Sequence, residues 1–260
     1  MKFKIFNIAL VGLIISTICL VNVANAGAID LNTWTKQGNA SNGNWIVDVN
    51  GASVLQNING EPTFFISDDS FINNEFTGSF GVETTLDDDI IGFVFGYNSL
   101  DDFYLFDWKQ NHQIFNGAEA NAGFTLSKIS TGADSSSGVP LWTHVGQGIT
   151  VLDTDYGNGR GWMDNVIYDF TLGYTNTEIN IYIDGGAFIN EQIFSIANLT
   201  NTAGSFGFYN QSQPNVRYRV FAEETCNSNC GIVDVTEPST IVILGLGLMG
   251  LASRRFKRKS

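Results

Sequence analysis

Basic residues are scarce in this chain. Thirteen lysines and arginines stand against 26 aspartates and glutamates in 260 residues. Two of the thirteen, Lys2 and Lys4, lie at the start, and five, from Arg254 to Lys259, at the end. Six remain for the central region, which holds all 26 acids and so carries a formal charge near −20. That charge argues against nucleic acid and anionic lipid as partners of the central region. Cysteine is equally rare: Cys19, Cys226 and Cys230. No further Cys or His pair stands near the last two to complete a zinc site. Neither histidine, His112 or His144, lies in a recognisable Ser-His-Asp motif. The E-x-D-x-E alternation that would give a glycan hydrolase its acid and nucleophile is missing. So is an EF-hand loop of the D-x-[DN]-x-[DN]-G form. These absences point away from an enzyme. There is no internal repeat and no convincing helical period between Gly27 and Asp234. Long apolar runs are also wanting. The run Ile241 to Ala252 is shorter than the about 20 residues a free-standing membrane span needs.

The two ends carry addresses. Lys2 and Lys4 precede an apolar stretch, Ile8 to Val21, and Ala24-Asn25-Ala26 is an A-x-A cleavage site. Residues 1–26 therefore read as a helical signal peptide. At the other end Val235-Thr236-Glu237-Pro238-Ser239-Thr240 leads into the short apolar helix, and Arg254-Arg255-Phe256-Lys257-Arg258-Lys259 follows. The basic cluster stays cytoplasmic, leaving the central region outside. The three parts in this order resemble the PEP-CTERM sorting signal, with Thr236 where that family has its first proline. The resemblance implies a Gram-negative, exopolysaccharide-producing bacterium. It implies an exosortase-type enzyme acting at Glu237 and Pro238, transient anchoring in the inner membrane by a short transmembrane helix, and delivery to the surface or extracellular matrix. It covers residues 235–260 and says nothing of activity.

Between the ends lies one domain, residues 27–225, followed by a short linker, 226–234. In an oxidising compartment Cys226 and Cys230 of that linker are expected to pair. Short β-branched and aromatic runs alternate with Gly, Asn and Asp clusters. "GNWIVDVNG", "FTGSFGVETT", "IIGFVFGY", "FYLFDWKQ", "FTLSKIS", "INIYID", "GSFGFYN" and "VRYRVFAE" each predict a strand. In "INIYID" the isoleucines 179, 181 and 183 share one face, as in a half-buried strand. In "IIGFVFGY" the residues Ile91, Phe93, Phe95 and Tyr97 are expected on one face, with Ile90 and Val94 on the other. "NSLDD" then turns the chain so that "FYLFDWKQ" returns antiparallel. Many short strands with turns between them mean a sandwich or jelly roll.

The hairpin carries a second resemblance. "DDDIIGFVFGYNSLDDFYLFDWKQ" is similar to the C-terminal domain of thrombospondins, where D-D-D-x-x-G-F-x-F-G-Y leads through a polar turn to F-Y-x-x-x-W-K-Q. "NWIVDVNGASVLQNING", "FTGSFGVETT", "GRGWMD" and "GSFGFYNQSQPNVRYRVF" match further elements of that domain in order, from about Asn44 to Glu223. Met163 replaces a lysine of the G-W-K-D element. The resemblance implies a concanavalin A-like jelly-roll β-sandwich of the L-type lectin kind, calcium as a structural ion, and adhesion or matrix contact without catalysis. The calcium-binding repeats that precede this domain in thrombospondins have no counterpart here.

Calcium takes six to eight oxygens, and clustered carboxylates supply them. Asp87, Asp88 and Asp89 match the acidic triplet of the resemblance. By strand alternation Asp87 and Asp89 share an ion while Asp88 points elsewhere. Asp68 and Asp69 also have ligand spacing, and Asp155 and Asp164, with Asp153, flank "GRGWMD" as a second site. A glycan-binding module is the rival reading to a matrix scaffold. Trp34, Trp142 and Trp162 are its candidate stacking platforms where exposed, whereas Trp45 and Trp108 lie in strands and belong to the core.

Overall fold

A computed structural model describes residues 29–225. The signal peptide, the Cys226–Cys230 pair, the sorting motif at Glu237 and Pro238 and the C-terminal helix lie outside the described residues. Among those described, no helix is long and apolar enough to cross a membrane.

A single 3-10 turn, Leu31–Thr33, opens the fold. The strands that follow are β1 Thr35–Gly38, β2 Trp45–Val47, β3 Val54–Gln56, β4 Thr63–Ile66, β5 Asn74–Val82 and β6 Ile90–Ser99. Next come β7 Asp102–Lys109, β8 Gln113–Phe115, β9 Ala118–Ala120 and β10 Gly123–Ile129. A short helix, α1, occupies Gly138–Thr143. The second half holds β11 Ile149–Tyr156, β12 Ile167–Tyr174, β13 Ile179–Gly185, β14 Phe188–Ile196, β15 Ser205–Gln211 and β16 Val216–Thr225.

Two seven-stranded sheets face one another. The front sheet runs β1-β4-β15-β6-β7-β10-β11, and the back sheet β14-β13-β12-β5-β16-β3-β2. All the pairings are antiparallel. This is the all-β sandwich that the alternating short strands predict. Aromatic side chains fill the space between the sheets. Phe93 stacks on Phe106 at 4.6 Å, and Trp108 on Phe124 at 4.4 Å. Trp34 and Trp162 are buried in this core with Trp108, so neither is a free stacking platform.

The front sheet is buried on its outer face as well. Phe64, Ile90, Val94, Phe103, Leu105 and Tyr209 form a second cluster there, capped by Leu141 and Trp142 of α1. Tyr97 joins this outer cluster, against the alternation expected of "IIGFVFGY". The cause is a register shift between Phe95 and Ser99. Gly96 takes φ +54° there, which carries Tyr97 to the other side of the sheet. A Cβ on Gly96 would also press into the Tyr174 hydroxyl.

Candidate functional site

The acidic triplet lies in the loop that joins β5 to β6, not on a strand. Strand alternation therefore does not apply, and Asp88 turns toward its neighbours. Ligand oxygens of Asp87, Asp88 and Asp89 come within 4.8 Å of one another. The loop is tied down at several points. The Asp89 N–H donates to Gln213 Oε1 at 2.9 Å, and the Trp162 indole donates to the Asp89 carbonyl at 3.0 Å. The Asn59 amide donates to Asp87.

Sheet register delivers the counter-charge. Ile90 pairs with Lys109 across the β6–β7 hairpin, so the lysine ends beside the residue before Ile90. The Lys109 ammonium is almost wholly buried, and all three of its N–H groups are used. They go to the Asp89 carboxylate at 2.9 Å, the Asp88 carbonyl at 3.0 Å and Gln113 Oε1 at 3.0 Å. The Asp88 carboxylate lies 3.7 Å away, and the Trp142 ring 4.4 Å from the same nitrogen. Burial pushes the Asp89 carboxyl up to about 6; Lys109 holds it down, and Asp87 adds to the rise.

Three carboxylates and one ammonium leave a formal charge of −2 in this cluster. One divalent ion neutralises it, and every donor on offer is a hard oxygen, as calcium requires. The donor set thus fits calcium. Beside it opens a pocket of about 230 Å³, lined by Asn59, Glu61, Asp87, Asp89, Gln113 and Trp142 among others. Sequence reasoning missed Asn59, Glu61, Lys109 and Gln113 here. The one available signal was the W-K-Q of the hairpin, whose lysine is the ammonium in question.

The other predicted acids are placed apart from this cluster. Asp155 is ion-paired with Arg160, and Asp164 accepts from Gln110 at 3.2 Å. Asp68 and Asp69 are exposed, and Asp153 bonds the N–H of Thr154. Among the described residues, Asp87, Asp88 and Asp89 form the one gathering of three potential metal ligands. The histidines diverge. His112 pairs with Glu119 in solvent, whereas His144 Nε2 lies 2.8 Å from the buried Asp107 carboxylate.

Comparison with known proteins agrees with this architecture. Residues 40–228 match the model of the thrombospondin C-terminal region, and residues 234–259 that of the PEP-CTERM protein-sorting motif. Cartilage oligomeric matrix protein of Bos taurus is 30% identical over 196 residues, which are 68% of this chain and 25% of that protein. The match thus spans about a quarter of that relative. Among solved structures, the carbohydrate binding module CBM66 from Bacillus subtilis superposes with TM-score 0.51 at 12% identity. It covers 74% of this chain and 95% of its own. The VIP36 exoplasmic/lumenal domain, in a form bound to Ca2+ and Man3GlcNAc, gives 0.52 at 12% identity, covering 76% and 88%. Likeness at such identities speaks of fold alone.

Proposed function

The chain belongs to the thrombospondin C-terminal region family, and on that premise we propose that it is an exported, non-catalytic, calcium-stabilised β-sandwich. It is displayed at the surface or in the extracellular matrix of a Gram-negative bacterium and works there in adhesion or matrix scaffolding. An exosortase-type enzyme processes the tail at Glu237 and Pro238, after a transient stay in the inner membrane. The cluster of charge −2 at the β5–β6 loop carries the calcium part of this reading. Asp87, Asp88 and Asp89 would hold the ion. When bound, it supplies positive charge to a loop whose single ammonium is already saturated. Asp155 and Asp164, each with one side-chain partner, are the candidate ligands of a second ion.

A glycan partner is the second reading. It is favoured by the fold shared with a carbohydrate binding module and with a lumenal domain whose structure holds an oligosaccharide.

Thermal melting of the full chain, in calcium and in EDTA, tests the first reading. Calcium at a hundred times its Kd contributes about 2.7 kcal/mol. For a domain of this size that raises Tm by about 5–10 °C. The double variant Asp87→Asn/Asp88→Asn is expected to lose the shift. An unchanged Tm in EDTA, or a full shift in the variant, would remove calcium from the proposal.

A further inference from the structure

The residue after Lys109 opens a second cavity, of about 490 Å³, whose chemistry differs from the acidic pocket. Its polar lining is Gln110, Asn111, His112, Asn121, Tyr156 and Asn158; the rest is alanine and glycine. Of the 24 acids among the described residues, none lines it, and neither does any lysine or arginine. The volume lies within the range of about 300–1,000 Å³ usual for small-molecule sites.

Part of the lining is already engaged. Gln110 donates to Asp164, Tyr156 shares a hydrogen bond of 2.8 Å with Thr125, and His112 pairs with Glu119. Asn121 and Asn158 make no hydrogen bond among the described residues, and both are exposed. Their amides offer donors and acceptors to a ligand. Tyr156 is partly exposed and adds an aromatic surface.

The walls are held in place. Gly123 pairs with Tyr156 in the β10–β11 ladder. The turn after β11 closes with the Arg160 N–H donating to the Gly157 carbonyl at 3.1 Å. The Trp108 indole donates to the Arg160 carbonyl. The Arg160 guanidinium is ion-paired with Asp155 and Glu191 and lies over the Phe124 and Phe188 rings. A cleft so braced loses little order on binding.

A cationic ligand would find no carboxylate in this lining. An anionic ligand would find no lysine or arginine and would face the negative field of the whole domain. A neutral ligand with many hydroxyls and an apolar ring face suits it: hydroxyls to the amides, ring face to Tyr156. We infer that this cleft, built on Asn121, Asn158 and Tyr156, binds a neutral sugar. The inference rests on the glycan reading, and the calcium melt tests the calcium-stabilised scaffold separately.

The test is titration calorimetry of the full chain in mild detergent. The probes are mannotriose, cellotriose and maltotriose, with trigalacturonate as the acidic counterpart. At least one neutral trisaccharide is expected to bind. Asn121→Ala/Asn158→Ala should weaken it at least about tenfold, the worth of one or two hydrogen bonds. Both side chains are exposed, so the variant should keep the wild-type Tm. Val49→Ala, fully exposed and outside the lining of the cleft, should bind the sugar as the wild type does. Three results overturn the inference: no neutral sugar bound, equal binding by the double variant, or trigalacturonate bound as tightly. Equal binding by the double variant removes the cleft and leaves the glycan reading standing, whereas no neutral sugar bound removes both and leaves a calcium-dependent melt to support the scaffold.

Discussion

The two faces of the front sheet are both buried, yet they are built differently. The inner face is apolar throughout its centre: Ile91, Phe93, Phe95, Phe106, Trp108 and Phe124. The outer face mixes Ile90, Val94, Phe103 and Leu105 with buried Asp107, Lys109, Thr125, Ser127 and Gln211. A sheet facing a second sheet needs only hydrophobic bulk to be stable. A face covered by a short helix and loops meets backbone carbonyls and polar tips, and its buried polar groups find partners there with the exception of the Ser127 hydroxyl. Lys109 finds Asp88, Asp89 and Gln113; Asp107 finds His144; Gln211 donates to the Gly138 carbonyl at 2.9 Å. The inner face makes the fold stable. The outer face places the chemistry.

The largest effect is expected on the inner face. Phe93 is fully buried and contacts the Phe106, Phe170 and Phe206 rings. Phe93→Ala removes those contacts and leaves a cavity, at a cost of about 3–5 kcal/mol. Urea unfolding of the purified protein measures it. A cost under 1 kcal/mol would mean the two faces share the load more evenly than their composition says.

This asymmetry also decides what the sequence reveals. The hairpin β6–β7, β5, β13, β15 and β16 announce themselves, because their inner faces alternate cleanly or their turns are polar. β12, "IYDFTLGY", and β14, "FINEQIFSI", went unnoticed: each buries several apolar residues but also exposes an isoleucine, Ile167 or Ile189. β12 ends in five consecutive buried residues, which hide a period of two. "GNWIVDVNG" yields only the three-residue β2, since Asp48 turns back to bond Ser53. Asp87, Asp88 and Asp89 were legible as a group, since their carboxylates are adjacent in sequence. Asn59 reaches the triplet, and Gln113 its lysine, only through loops, which no local pattern encodes, while Lys109 is signalled only by the W-K-Q of the hairpin. The Asp107–His144 pair spans 37 residues and two elements, and so it too is invisible before folding.

That pair supplies the next test, on the outer face. Burial pushes the Asp107 carboxyl up, and the His144 imidazole beside it holds it down. His144 ends α1 with φ +54°. Removing the imidazole leaves a buried carboxylate unpaired, so His144→Ala is expected to cost about 3 kcal/mol. Asparagine tolerates the left-handed backbone. His144→Asn therefore separates the lost partner from the backbone term, and it should recover only a minor part. Equal stability of His144→Ala and the wild type would show that the outer-face polar groups do not need their partners.

The smallest effect sharpens the same contrast. His112 and His144 are indistinguishable in sequence, each lying outside any motif. His112 also pairs with a carboxylate, Glu119, at 2.9 Å, against 2.8 Å for His144 with Asp107. The geometry is nearly the same, but both partners of the His112 pair are half exposed or more. Water solvates each of them once the other is gone, and salt screens them while both are present. His112→Ala should therefore cost under about 0.5 kcal/mol. Burial differs between the two substitutions, as does the left-handed backbone at His144, and His144→Asn accounts for the second. A His112→Ala protein as unstable as His144→Ala would mean that pairing itself, and not the loss of solvent, sets the cost.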